Sequence, residues 1–197
     1  MRLLLLSGGV DSSAIAWWTR PDVCLTVDYG QAPAQGEIQA AAGICREAGL
    51  RHEVLEAGLG HLGSGLMAGR TASPVGNAAE WWPYRNQMLV TLAAMRFVAE
   101  GVQEIMIGAL ESDRHLDGSR AFLEAMDRTM ALQEGSVRVT APAHPYTTEE
   151  LLKVSGFPTG MLGATFSCHR AEMPCGGCSG CEKSLDLLDR YTSSATF

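Results

Sequence analysis

Two groups of residues in this chain have the types and the spacing to do chemistry. The first is Ser7-Gly8-Gly9-Val10-Asp11-Ser12-Ser13, which follows the apolar run Leu3-Leu4-Leu5-Leu6. Four apolar residues read as a buried strand, and the small polar residues after them turn the chain into a helix beginning near Ser12. The glycine pair permits backbone angles closed to other residues and leaves room for a ligand, while the amides of the turn and of the new helix point at whatever binds there. Such a turn suits an anion, above all a phosphate group. The phosphate loop of kinases and GTPases ends in Lys-Ser/Thr, and no lysine follows here. The second group is Cys168, Cys175, Cys178 and Cys181, spaced C-x6-C-x2-C-x2-C with Gly176, Gly177 and Gly180 among the last three. Thiolates are soft ligands, and Zn2+ accepts four of them tetrahedrally with no position left for water, so a zinc held this way is structural. An iron–sulfur cluster uses the same atoms, and His169 stands beside Cys168 as an alternative ligand.

The elements that must hold these groups alternate. A helix over residues 12–19 is stopped by Pro21-Asp22, and residues 23–27 form a second short strand. Asp28-Tyr29-Gly30-Gln31 leaves the C-terminal end of that strand, the edge at which parallel sheets bind ligands. Residues 35–48 read as a helix closed by Gly49, and residues 52–55 as a third strand. A long helix follows Trp81-Trp82-Pro83-Tyr84-Arg85-Asn86; strands at residues 104–108 and 137–139 and helices at 119–132 and 148–153 complete the pattern. The expected fold class is α/β, a five-stranded parallel sheet with flanking helices, joined to the four-cysteine element.

Between the third strand and the long helix, residues 58–80 hold six glycines and Pro74 with no sustained period, as expected of a loop over a site. Its His61 is a lone histidine in a glycine-rich loop. Arg85 stands where the chain enters the long helix, and an arginine grips phosphate or carboxylate bidentately; Asn86 is its polar neighbour. Trp81 and Trp82 serve either as walls for a base or as core. After the fourth strand, Glu111, Asp113 and Asp117 offer hard oxygens to Mg2+ or hydrogen bonds to a base, or else form a solvated charge run.

With 15 Lys+Arg against 22 Asp+Glu among 197 residues, the net charge is −7, and no basic run appears. That balance argues against direct nucleic-acid binding. Apolar stretches are too short for a membrane span and the leading leucines too short for a secretion signal, so a soluble, cytoplasmic protein with reduced thiols is expected. Cys24 and Cys45 read as small buried apolar residues.

The string Ser7-Gly8-Gly9-Val10-Asp11-Ser12-Ser13 resembles the pyrophosphate loop of the ATP pyrophosphatases. Together with the cysteine tail it resembles the 7-cyano-7-deazaguanine synthase family. Also in family order are Asp28-Tyr29-Gly30-Gln31, Arg85-Asn86, Ile107-Gly108, Asp113, Phe122-Leu123-Glu124-Ala125-Met126, Ser167-Cys168 and Pro174-Cys175-Gly176-Gly177-Cys178-Ser179-Gly180-Cys181. The resemblance implies an adenine nucleotide alpha hydrolase-like fold, with residues 1–160 as the ATP-binding domain and 161–197 as a zinc-binding appendage packed on it. It also implies ATP with Mg2+, structural Zn2+, a homodimer, and conversion of 7-carboxy-7-deazaguanine and ammonia to the nitrile through carboxylate adenylation and an amide. Carried over residue by residue, Ser7, Gly8, Gly9, Val10, Asp11, Ser12, Ser13, Asp28, Tyr29 and Asn86 bind nucleotide, Asp11, Arg85 and Asp113 are catalytic, and the four cysteines hold metal.

The chain departs from the family at several places. Ala32-Pro33-Ala34 stand where histidine and arginine are usual, Arg114 to Ser119 replace a tyrosine-rich substrate loop, and Thr148 takes the place of a lysine. These departures point to a diverged member that stops at the amide or joins the deazaguanine acid to another amine, a protein amine included, or to a nucleotide-binding or partner-binding protein of weak turnover. Sulfur transfer to a tRNA base, known from related loops, requires a basic surface that the charge balance does not provide.

Overall fold

The computed structural model describes residues 1–76, 78–111 and 115–193. The leucine run becomes strand β1 (Arg2–Leu5), and the glycine loop behind it leads into helix α1 (Val10–Thr19). β2 (Val23–Asp28), α2 (Ala34–Ala48) and β3 (His52–Glu56) follow, then α3 (Arg85–Phe97), β4 (Glu104–Met106) and α4 (Arg120–Ala131). The chain continues through β5 (Arg138–Thr140), α5 (Thr148–Ser155) and α6 (Ser179–Ser193). The strands form one parallel sheet in the order β3-β2-β1-β4-β5.

Alternation along the strands sorts the core into two layers, because successive side chains of a strand point to opposite faces. Leu3, Leu25, Ile105 and Val139 pack with Phe97 of α3 and Met126 and Met130 of α4. Leu4, Cys24 and Met106 pack on the other side with Ile15 of α1, Ile44 of α2, Leu151 of α5 and Leu187 of α6. Both faces are therefore covered, which is what continuous apolar strands require.

The helix boundaries have local causes. α1 begins at Val10, two residues before the expected start, because extended Gly9 takes the cap position. α2 ends on Gly49 at φ 63°, a left-handed angle that suits glycine. Thr147 and Glu150 form a reciprocal capping box at the head of α5, a device worth about 1 kcal/mol.

Within residues 58–76 lie two short 3-10 turns, Gly60–Leu62 and Leu66–Ala68. The segment is tied to itself by Ser73 N donating to Ser64 Oγ at 2.8 Å and Arg70 Nη1 donating to the His61 carbonyl at 2.7 Å. Met67 plugs it into the core beside Trp82. Trp82 is itself buried, edge-on to Tyr29 with ring centroids 4.8 Å apart, so it is packing. Among the described residues no helix is long and apolar enough to cross a membrane. Helix α6 has no counterpart in the sequence reading, since its first turn lies inside the cysteine pattern.

Candidate active site

From β1 the chain moves outward to β2 and β3, then returns to the opposite side of β1 for β4 and β5. Parallel sheets bind ligands at the C-terminal strand ends where the order reverses in this way. A cavity of about 500 Å³ lies there, lined by Leu6 and Ser7 after β1, Tyr29 after β2 and Ile107 and Gly108 after β4.

One end of the cavity is the loop. Gly9 N donates to Ser7 Oγ at 3.3 Å, and Ser12 Oγ donates to the Gly9 carbonyl at 3.2 Å while lying 3.1 Å from Ser7 Oγ. The two serines thus brace the turn from within. Gly8 adopts φ 75°, and a Cβ there would lie 2.7 Å from the Glu37 carbonyl and 2.9 Å from Ala40 Cβ. Only glycine lets the loop press this closely on α2. The first amides of α1 have no acceptor within the helix and face the cavity with the positive end of its dipole. Asp11 stands at that end. Its Oδ2 accepts from Lys183 Nζ at 3.0 Å, and its buried Oδ1 has no hydrogen-bond partner among the described residues, which suits a cation such as Mg2+.

The other end is built from buried and half-buried side chains. Gln31 Nε2 donates to Glu37 Oε2 at 2.8 Å while Gln31 Oε1 accepts from Tyr29 N at 2.8 Å, so the turn after β2 is clamped to the first turn of α2. Burial pushes Glu37 up to about 7, against the opposing pull of the Gln31 hydrogen bond and the Arg85 charge. Burial likewise raises the Tyr29 hydroxyl. Burial works against the Arg85 charge too, yet Tyr29, Asp117 and Glu37 together hold its pKa above the ordinary value. Arg85 Nη1 reaches Met67 Sδ at 3.1 Å. Among the described residues no carboxylate closes a salt bridge with it, although Glu37 and Asp117 act on it electrostatically. A buried guanidinium facing a cavity on these terms suits an anionic ligand. Asn86 Nδ2 donates to the Asp117 carbonyl at 2.8 Å, and Asn86 N to Asp117 Oδ2 at 3.2 Å, which seats Asp117 at the positive end of α3.

Of the residues expected from sequence, Ser7, Gly9, Val10, Asp11, Ser12, Tyr29, Arg85 and Asn86 line this one cavity, and Asp117 joins them. Gly8 and the fully buried Ser13 form the underside of the loop. Asp28 turns back to accept from Gly30 N at 3.0 Å and is not in the lining. Asp113 and Arg114 lie outside the described residues. Thr148 is buried at the head of α5 and His61 is exposed; neither lines the cavity. Sequence reasoning missed Glu37 and Lys183. Glu37 carried one faint signal, an acidic residue in the first turn of a helix; Lys183 carried none.

The four cysteines converge on the rim. Their sulfurs all lie within 4.8 Å of one another, and Cys175 Sγ and Cys181 Sγ are 4.0 Å apart. A tetrahedral zinc with bonds of about 2.3 Å needs sulfurs a little under 4 Å apart, so the set fits with minor contraction. His169 N donates to Cys178 Sγ and Arg170 N to Cys168 Sγ, each at 3.4 Å. Burial opposes the Cys168 thiolate, but backbone amides led by that of Arg170 bring its pKa down to about 7. His169 is a neighbour of the cluster and a lining residue of the cavity, not a member of the set of four. The cysteine element docks on the loop: Phe166 N donates to the Gly8 carbonyl at 2.8 Å, and its ring covers Gly36 of α2.

Comparison with known proteins agrees with this geometry. The chain is 31% identical over 219 residues to the 7-cyano-7-deazaguanine synthase of Desulforudis audaxviator, covering 98% of this chain and 96% of that one. It is 28% identical to 7-cyano-7-deazaguanine synthase 1 of Desulfitobacterium hafniense, over 95% of this chain and 92% of the relative. Among solved structures, the U34-tRNA thiolase NcsA from Methanococcus maripaludis with its [4Fe-4S] cluster superposes with a TM-score of 0.52 at 16% identity. That match covers 99% of this chain but 66% of the thiolase, and it speaks for the shared fold. The family model "Queuosine biosynthesis protein QueC" matches residues 1–191, and the chain belongs to that family.

Proposed function

We propose that this protein is an ATP-dependent C–N ligase that activates the carboxylate of 7-carboxy-7-deazaguanine and passes it to ammonia, giving first the amide and then the nitrile. One observation carries the reading: a single cavity joins an amide-lined loop to a desolvated arginine that, among the described residues, no carboxylate salt-bridges, in a chain of this family. The triphosphate lies along the amides of Gly9 to Ser12. Asp11 would hold Mg2+, which would supply positive charge against the phosphates. The apolar lining between Leu25 and Leu89 receives the flat bicyclic ring. Glu37 meets its N–H edge, and Arg85 holds the carboxylate facing the α-phosphorus.

A carboxylate oxygen attacks that phosphorus, pyrophosphate leaves, and an acyl-adenylate forms. Ammonia then adds to the carbonyl carbon, loses a proton and expels AMP, leaving the amide. For the nitrile, the amide oxygen is adenylated by a second ATP and departs with AMP as the nitrogen gives up its two protons. No side chain acts as a covalent nucleophile; the chain contributes position and preorganised charge. The four cysteines would hold a zinc that fixes the tail in place.

The test is a reaction of the acid, ATP, Mg2+ and either ammonium or candidate amines, read by intact mass. Amide or nitrile with ammonium is the expected result. A conjugate formed only with another amine changes the acceptor but keeps the activation step. An acid that neither binds nor stimulates ATP cleavage with any acceptor removes the substrate assignment.

A further inference from the structure

Helix α6 carries Ser179, Lys183 and Leu187 at four-residue spacing, which sets them on one face. All three line the cavity. The helix is fixed at two points around Lys183. At its head, buried Cys178 and Cys181 belong to the cysteine cluster; one turn beyond Lys183, Leu187 is buried in the layer that holds Ala14 and Ile15 of α1. Lys183 Nζ therefore sits over the first turn of α1, 3.0 Å from Asp11 Oδ2. Its side chain is 52% exposed, so the ion pair itself contributes little to stability. Its four-carbon stem remains free to carry the ammonium from the carboxylate to a neighbouring acceptor.

Charge bookkeeping makes that position matter. Of the two Lys/Arg residues that line the cavity among the described residues, Arg85 is embedded among Tyr29, Glu37, Met67 and Asp117 at the far end. At the loop end, beside Asp11, Lys183 is the one Lys/Arg side chain among the described residues of the lining. A triphosphate on the loop amides brings several negative charges to this end, and helix-terminus amides carry only partial positive charge.

We propose that Lys183 is a phosphate-binding residue of this site, a cation delivered to the loop by the helix that the cysteine cluster anchors. The proposal rests on the nucleotide reading given above. It assigns a role to a residue outside the loop and beyond the last cysteine.

The experiment is calorimetric binding of adenosine 5′-(α,β-methylene)triphosphate with Mg2+ to wild-type protein, Lys183→Ala, Lys183→Arg and Lys153→Ala. Lys153 is an exposed lysine of α5 and controls for net charge. Lys183→Ala is expected to weaken binding by about ten- to a hundredfold, the range for losing a charge-assisted hydrogen bond. It should also flatten the salt dependence of affinity. Lys183→Arg should restore most of the loss, Lys153→Ala should bind as wild type, and melting temperatures should stay together. Wild-type affinity and salt dependence in Lys183→Ala overturn the proposal and leave the nucleotide site standing. Equal weakening in Lys153→Ala overturns it as well, because the effect is then general electrostatics. Absence of binding to wild-type protein removes the nucleotide reading and this inference with it.

Discussion

The two ends of the cavity are built by opposite means. The loop end is local: seven consecutive residues supply its amides, its bracing serines and Asp11, and a glycine at φ 75° allows the turn. The far end is assembled from separate elements, with Tyr29 after β2, Glu37 on α2, Arg85 on α3 and Asp117 before α4, the first three in a desolvated setting. Backbone amides present the same field to any anion of the right size. Buried side chains, whose pKa values depend on one another, discriminate between ligands. The first end should therefore govern ATP and its turnover, and the second should govern the acid.

Mutations can break that division. Asp11→Ala should have the largest effect, lowering acid-dependent ATP cleavage by about a hundred- to a thousandfold, as expected for a group that positions charge in the transition state. Its melting temperature should fall by no more than about 4 °C, the equivalent of a lost helix cap in a chain of this size. Near-normal AMP or ADP production by folded Asp11→Ala would place the chemistry away from the loop. Arg85→Met comes next, with an expected loss of about ten- to a hundredfold in affinity for the acid and less than about threefold in affinity for ATP. Equal losses for both ligands would merge the two ends into one site.

Cys175→Ala should weaken ATP binding by up to about tenfold, since α6 and Lys183 lose their anchor. It should change acid binding less, and it should lower the melting temperature more than Cys45→Ala does. Elemental analysis should find about one zinc per wild-type chain. A metal-free protein that melts as the metalled form does would detach the cysteines from this scheme.

Glu37→Gln should have the smallest effect, and it reads out in pH. The folded pKa of Glu37 is raised to about 7 from an ordinary 4.5. Below 4.5 the group is protonated whether the chain is folded or not, and its contribution to stability is fully present. Between 4.5 and about 7 the unfolded chain releases its proton first, so that contribution falls as pH rises through the folded pKa. Melting of the wild type should therefore drop over that window relative to Glu37→Gln, and acid affinity should titrate near pH 7 in the wild type alone. Parallel pH profiles for the two proteins would remove Glu37 from the recognition end.

Much of this organisation was legible in the chain because it is written in short-range signals. Apolar runs broken by Gly, Pro and Asp marked the strands and helices, as at β2 and α2, since periodicity and caps act within a few residues. The loop at Ser7 to Ser13 and the convergence of the four cysteines were legible for the same reason: their residues are neighbours in sequence. Tertiary structure alone decided the rest. The return of the chain across β1 brought Tyr29, Arg85 and Asp117 to one crevice, and no spacing announces which strand ends will meet. Burial, which a sequence does not display, set Glu37 near 7 and turned Trp82 from a candidate base wall into packing under Tyr29. Helix α6 swung Lys183 to Asp11 across 172 residues of chain, because the cysteines and Leu187 dock it there and nothing local to the loop required it.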